Sequence, residues 1–412
     1  MNYSEMFRIF GRIGCLSFGG PAAQIAFMQK ELVDDRPLLS HPDFLKALSF
    51  CMVLPGPEAM QLATYVGWKL RGVTGGLLAG GLFVIPGAIV IAALAFAYAT
   101  FGNLPLVQAA FVGIKATVII IVIQAIRKLL AKALNRNDHR IIALIAFLAL
   151  FLFNLPFPLI IVCAAIYGAF TCPDRQTSTQ RPPWRHAIRP IAVGGALWAA
   201  PLLAAWAIGA TFLLSVGLFF SKLAVVTFGG AYAVLAYMTQ SLVSDHGWLT
   251  TYQMIDALGL AETTPGPLIL VTEFTAILAG LNAGGLRLAA LTGLLTLWVT
   301  FVPCFIWIFA GAPLIDWLDT APRLRAGLWT ITAAVVGVIA NLSVWFAAHV
   351  IFSDLTPAKA PFSVLVPVWS SFNITAAILT IFAALLLLWR KIPLLPTLAT
   401  MALTGVILNI WL

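Results

Sequence analysis

Apolar residues come in long runs along this chain. The runs lie at roughly 6–30, 44–68, 73–100, 105–127, 141–153 and 155–171, then at 188–208, and then at 212–242, 250–280, 285–311, 324–352, 371–389 and 393–411. A helix needs about 20 mostly apolar residues to cross a bilayer. The pattern therefore predicts an all-α polytopic membrane protein with about 13 transmembrane segments. The short runs 141–153 and 155–171 read as a tight helical pair joined at Asn154. Several runs carry Gly or Pro near the middle. Such breaks survive in a membrane only where protein covers the freed backbone or a polar cavity adjoins it.

The breaks are duplicated. Residues 18–35 read FGGPAAQIAFMQKELVDD, and residues 228–245 read FGGAYAVLAYMTQSLVSD. Phe18, Gly19, Gly20, Ala23, Ala26, Met28, Leu32, Val33 and Asp35 all recur at an offset of 210. That offset also lands Pro55-Gly56-Pro57 on Pro265-Gly266-Pro267, and Arg12 on Lys222. A later offset of 217 pairs Pro86 with Pro303, Lys115 with Thr332 and Gln124 with Asn341. Self-similarity of this kind marks an internal duplication. The expected organisation is a first repeat over 1–171, a linker with one extra helix over 172–211, and a second repeat over 212–412. The stretch CPDRQTSTQRPPWRHAIRP at 172–190 supplies the linker.

Basic residues orient the two repeats. Lys69 and Arg71 follow the second run, and Arg127, Lys128, Lys132, Arg136 and Arg140 follow the fourth. In the second repeat the cations shift by one turn: Arg323 and Arg325 follow the third run, and Arg390 and Lys391 the fifth. Under the positive-inside rule the halves have opposite orientation, with the N-terminus inside and the C-terminus outside. The odd helix at 188–208 accounts for the inversion.

Composition agrees. Hydrophobic residues make up 61% of the 412 and charged residues 9%, against about a quarter charged in soluble proteins. The net charge of +9 reads as orientation signals facing anionic lipid, not as a nucleic-acid footprint. The five cysteines occur singly, without ligand spacing, so no metal, cofactor or disulfide framework is expected. Arg8 and Arg12 interrupt any signal-peptide core at the N-terminus.

Inverted repeats with interrupted helices are a transporter architecture. A helix start in mid-membrane offers unpaired N–H groups and partial positive charge, and so attracts an anion. Glycine lets a substrate approach the backbone, and proline at the first helical position loses only an N–H that had no partner. The candidate substrate-binding residues are therefore Ser17, Phe18, Gly19, Gly20 and Pro21, with Pro55, Gly56 and Pro57. Their counterparts are Thr227, Phe228, Gly229 and Gly230, with Thr264, Pro265, Gly266 and Pro267. The plainer reading is that GG and PGP are kinks for close helix packing. Arg12 and Lys222, matched in the repeat, are candidate attracting cations or interfacial anchors. Lys115 ranks below them because its counterpart is neutral. Glu58 and Glu262 flank the two PGP motifs unsymmetrically and are candidate proton-coupling groups, or simple helix caps.

The segments FGGPAAQIAFMQKELV and VLPGPEAMQLATYVGWKLRG, with the FGG and PGP motifs of the second half, resemble the chromate ion transporter family in its long, two-domain form. The second half departs from FGGP in having Ala231. The resemblance implies homologous halves and export of chromate, often linked to the proton-motive force, with sulfate as competitor or alternative substrate. It implies a multi-pass protein of the inner (cytoplasmic) membrane, with lipid and protons as partners and no enzymatic activity. Homo-oligomerisation is left open. A dianion leaving a cell that is negative inside gains about 4.6 kcal/mol per 100 mV, so export is electrically downhill. A membrane-embedded reductase would need a redox centre, and no haem or dinucleotide motif is present.

Overall fold

The computed structural model describes residues 1–18, 20–133, 136–171, 184–228, 235, 237–261, 264–315, 322–357 and 364–411. Helices occupy Tyr3–Leu16 (α1), Gly20–Gln29 (α2), His41–Cys51 (α3), Glu58–Phe101 (α4), Pro105–Ala133 (α5), Asn137–Phe153 (α6), Phe157–Thr171 (α7), Trp184–Ala207 (α8) and Thr211–Val226 (α9). They continue with Thr251–Ala261 (α10), Val271–Gly311 (α11), Pro322–Ile351 (α12), Ile374–Ala384 (α13) and Leu394–Trp411 (α14). Among the described residues, five helical stretches are long and apolar enough to cross a membrane, including Glu58–Phe101 and Leu268–Leu314. The protein is a helical, multi-pass membrane protein. One small feature departs from the all-α expectation. Leu355–Pro357 and Leu365–Pro367 pair as antiparallel strands in the loop after α12, where prolines forbid a continued helix.

The chain divides into two compact units, and each draws on both halves of the sequence. Unit one comprises residues 1–99, 173–231 and 260–325; unit two comprises 100–172, 232–259 and 326–412.

In unit one the chain doubles back repeatedly. The Arg12 guanidinium reaches Glu31 at 3.6 Å, so α2 and its wide terminal turn (Lys30–Asp34) fold back beside α1. Lys69 reaches Asp43 at 3.1 Å, and the Phe50 and Tyr65 rings lie 6.3 Å apart. Helix α3 and the first arm of α4 therefore form a hairpin with PGP at its tip. Its legs span roughly 16 and 20 Å at 1.5 Å per residue, short of a hydrocarbon core of about 30 Å. A second reversal follows at Arg71 and Gly72, where the backbone leaves helical geometry and Gly72 has φ 64°. Gly67 then packs on Gly75, leaving no room for a Cβ on either. The Tyr3 hydroxyl hydrogen-bonds Thr74 at 2.8 Å, and Arg71 donates to the Met1 carbonyl at 2.6 Å. The N-terminus thus lies at the level of that reversal.

Helix α11 repeats the plan. It breaks at Gly284 and Gly285, the latter with φ 77°, and the Thr292 hydroxyl crosses to the Ala276 carbonyl at 2.8 Å. The repeat offset, 210 at the PGP tips, becomes 213 at Gly72 and Gly285 and 217 at Pro86 and Pro303. Each arm of the second hairpin has gained about one helical turn, which keeps the same residues on the same face. Gly76 meets Phe309 and Gly80 meets Phe305. The long arms of α4 and α11 thus run antiparallel, with their reversals at opposite ends.

In unit two each half lends its fourth long helix to the other half's last two. Gly113 of α5 abuts the Met401 carbonyl of α14, and Gly405 abuts that of Ala109. Gly337 of α12 abuts the Ala143 carbonyl of α6, and Gly168 of α7 abuts the Thr330 hydroxyl. Small residues at every contact let backbones touch, the usual solution where lipid competes for apolar side chains. Lys115, unpaired in the sequence reading, meets the buried Asp256 of α10 at 2.9 Å.

Candidate functional site

Each described residue of the predicted site lies in unit one. Gly19, Gly229, Gly230 and Glu262 fall outside the described residues.

Helix α1 ends at Leu16 and α9 at Val226, and the next residues adopt the same conformation: Ser17 has φ −80° and ψ 80°, Thr227 φ −77° and ψ 80°. Both are 1% exposed, and both turn an orphan carbonyl away from the finished helix. Those two carbonyls find their donors in the opposite repeat. The Gly266 N–H donates to Ser17 O at 2.9 Å, and the Gly56 N–H donates to Thr227 O at 2.8 Å. The FGG motif of each half is thereby bonded to the PGP motif of the other. Gly56 has φ 116° and Gly266 φ 84°, a region L side chains rarely adopt. Space is tight at Gly56, where a methyl group would lie 2.8 Å from Cys304 Sγ, whereas one on Gly266 would make ordinary contact with Gly87 Cα at 3.4 Å. Cys304 and Gly87 each follow the matched prolines Pro303 and Pro86, so the crossing extends one layer further.

In the first half the helices restart one residue from the expected prolines, at Gly20 before Pro21 and at Glu58 after Pro57. Gly20 has φ 78°. Beyond Pro267 the chain makes a 3-10 turn, Leu268–Leu270, before α11. Phe18 and Phe228 are half-buried, whereas Pro55, Pro57, Pro265 and Pro267 are buried. The hydroxyls expected as donors to substrate are engaged within their own helices: Ser17 Oγ donates to Ile13 O, Thr227 Oγ1 to Leu223 O and Thr264 Oγ1 to Ala261 O. Arg12 is largely exposed and shares the buried Glu31 with Arg36. Lys222 is exposed and Glu58 half-buried.

Two residues at the crossing were missed in the sequence. Gln24, 2% exposed, donates its amide to Gly266 O at 2.7 Å and lies 3.4 Å from Ser17 O. Ser17 and Gln24 thus hold both sides of Gly266. Gln61, fully buried, donates to Pro55 O at 2.7 Å, while its Oε1 has no hydrogen-bond partner. The available signal was a lone amide in an apolar run, five residues beyond Gly19 and five beyond Gly56. Unit two contains a separate cavity of about 250 Å³ lined by Asn154, Tyr237, Gln240, Asn341 and His349 among others; no predicted site residue lines it.

A duplicated chain whose broken helices meet inside an apolar helical body is a membrane protein of the kind that moves solutes. The chain belongs to the chromate transporter family: the family model described as "Chromate transporter" matches residues 4–169 and 214–407. It is similar to the chromate transport protein of Pseudomonas aeruginosa, 30% identical over 343 residues covering 82% of this chain and 80% of the relative. It is also similar to the chromate transport protein of Cupriavidus metallidurans, 29% identical over 344 residues covering 81% and 80%. The uncharacterized transporter YwrA of Bacillus subtilis, 27% identical over 171 residues, aligns over 96% of its own length but 41% of this chain, which fits a relative built from one repeat. No solved structure matches the chain.

Proposed function

We propose that the protein exports chromate across the cytoplasmic membrane by alternating access, coupled to the proton-motive force. The observation that carries this reading is the crosswise bonding of buried Ser17 and Thr227, just ahead of each FGG, to the PGP tip of the other half. In the arrangement described above, the carbonyls of Ser17 and Thr227 occupy the N–H groups of Gly266 and Gly56. A tetrahedral oxyanion presents acceptors of the same kind and more charge. Parting the tips exchanges carbonyl for oxyanion without leaving a buried N–H unpaired. Glycine at both positions admits the anion to the backbone. Arg12 and Lys222 supply long-range attraction, and Glu58 and Glu262 are the proton-coupling groups of this reading.

The reading includes two inverted repeats, 1–171 and 212–412, separated by a linker and extra helix over 172–211. The antiparallel long arms of α4 and α11 support that inversion, as does the shared end of Lys69, Arg71 and Arg323. The count of about 13 refers to apolar segments; the reversals between α1 and α2 and at 52–57 make the first two re-entrant in this reading. Chromate is favoured over sulfate by the names of the relatives, since the tip chemistry accepts any tetrahedral dianion.

The test is flux of radiolabelled chromate and sulfate in everted membrane vesicles. Chromate accumulation that grows with an imposed potential and pH gradient is the expected result. Sulfate transport without chromate transport overturns the substrate assignment, and absence of both overturns the proposal.

A further inference from the structure

Helical threonines in this protein almost always return their hydroxyl to a carbonyl one turn back, as Thr64, Thr117, Thr239 and Thr330 do. That is the default for a threonine in an apolar helix. Thr296 and Thr300 do not. Their side chains are 0% and 1% exposed, yet neither Oγ1 has a hydrogen-bond partner. They belong to a stripe on α11, Thr292, Thr296, Thr300 and Cys304, spaced by four residues and so on one face. At one end of the stripe lies Glu273, 3% exposed, whose Oε2 also has no partner. A methyl group on Gly293 would lie 3.9 Å from Glu273 Cγ, one turn from Thr296. At the other end, the Cys304 thiol donates to Thr300 O at 3.5 Å, and its sulfur abuts Gly56 and the amide of Gln61. Gln61 Oε1, beside that tip, is likewise buried without a hydrogen-bond partner.

Four such atoms on neighbouring turns of α11 and beside the Gly56 tip call for an explanation, because each unpaired polar group costs roughly 1–3 kcal/mol. Successive residues four apart are separated by about 6 Å of helix. That gap fits one water making two hydrogen bonds of about 2.8 Å. We propose that Glu273 takes up a proton and that Thr296 and Thr300, bridged by single waters, pass it to a substrate oxyanion at the Gly56 tip, with Gln61 Oε1 orienting the last water, so that Glu273 returns to the carboxylate as the oxyanion is protonated. Threonine hydroxyls donate and accept at once, as a relay requires, whereas the Gln61 carbonyl only accepts. Around Glu273, helix α4 contributes Tyr98, whose ring lies 5.7 Å from that of Phe274. The rest of α11 carries Arg287, exposed beside the Gly284–Gly285 reversal, and Cys304 at the far end of the stripe; α8, which packs on the long arm of α11, carries Arg185, His186 and Arg189 near its start, and α9 carries the exposed Lys222. No basic group forms an ion pair with Glu273 among the described residues. Intramembrane carboxylates are costly and mark ion or proton pathways.

This inference rests on the proton-coupled reading above, and its test is chosen to separate the two. The full-length protein in lipid vesicles is treated with dicyclohexylcarbodiimide, which modifies protonated carboxyls in apolar surroundings, and Glu273 is read by mass spectrometry. The expected result is modification at pH 6 that falls at least about tenfold at pH 9, with Thr296→Val/Thr300→Val leaving it unchanged because the relay lies beyond the carboxyl. In flux assays that double variant loses about tenfold of the acceleration given by a pH gradient, with the chromate KM unchanged and Thr→Ser retaining it. Absence of Glu273 modification at any pH overturns the inference, as does a serine variant as impaired as the valine one. If the wild-type protein moves no chromate, the proposed function fails, while the modification result still decides the proton site.

Discussion

Replacing Gln24 by Met keeps the volume of a buried side chain and removes its amide. The bond lost is the 2.7 Å one to the Gly266 carbonyl, from a side chain only 2% exposed. No water can replace the donor without opening the contact. The penalty is therefore that of an unsatisfied buried carbonyl, about 1–3 kcal/mol, rather than the near-zero exchange seen at a surface. It falls on one peptide, because the Gly266 N–H still donates to Ser17 O. If tip geometry sets transport, 1.4 kcal/mol corresponds to tenfold fewer correctly closed tips. We expect Gln24→Met to insert normally and to melt at lower temperature in detergent. Chromate flux should fall by roughly 5- to 100-fold. Gln24→Glu, which replaces the donor by an acceptor facing the same carbonyl, should be worse. Unchanged melting and flux for both variants would refute the idea that this amide holds the tip.

Other outcomes follow from the same contacts. Gly87→Ala places a methyl group against the Pro265 carbonyl and should cost about 1–3 kcal/mol through overpacking, read by thermal melting; Gly195→Ala, with open space around it, is the neutral control. Lys115→Met should destabilise unit two by about 3–5 kcal/mol by removing the cation that faces the buried Asp256 at 2.9 Å, and Lys115→Met/Asp256→Leu should recover most of the loss; both are read as yield and melting temperature. Gly20→Leu should abolish chromate flux without preventing membrane insertion. The reason is backbone strain at φ 78° and not a clash, since nothing lies within 4 Å of a Cβ there.

The duplication was legible because FGG and PGP are rare strings that recur at one offset. Membrane insertion was legible from the apolar runs. The reversals were not. A glycine break looks the same in sequence whether the chain continues across the bilayer or turns back, and only pairs such as Lys69 with Asp43 separate the two cases. The crosswise bonding was hidden for a related reason. Aligning Ser17 with Thr227 reports that they are equivalent, not that each touches the other half's glycine. The change of offset from 210 to 217 carried no structural reading in the sequence; it is about one added turn on each arm of a hairpin. Lys115 looked costly and unexplained because its partner, Asp256, sits in a different apolar run, 141 residues along (256 − 115). Gln24 and Gln61 carried a signal, a polar residue at equal spacing behind each motif. Polar residues in apolar helices have too many ordinary uses for that spacing to stand alone.

Crosswise bonding of the two repeats is most directly measured by disulfide trapping in native membranes. The protein, with its five cysteines replaced, would carry Ser17→Cys together with Pro265→Cys, next to the Gly266 N–H that reaches Ser17 O. Rapid cross-linking on mild oxidation is the predicted result. If both cysteines react with a small thiol reagent yet do not join, even through a linker of about 10 Å, then the first repeat's FGG does not meet the second repeat's PGP.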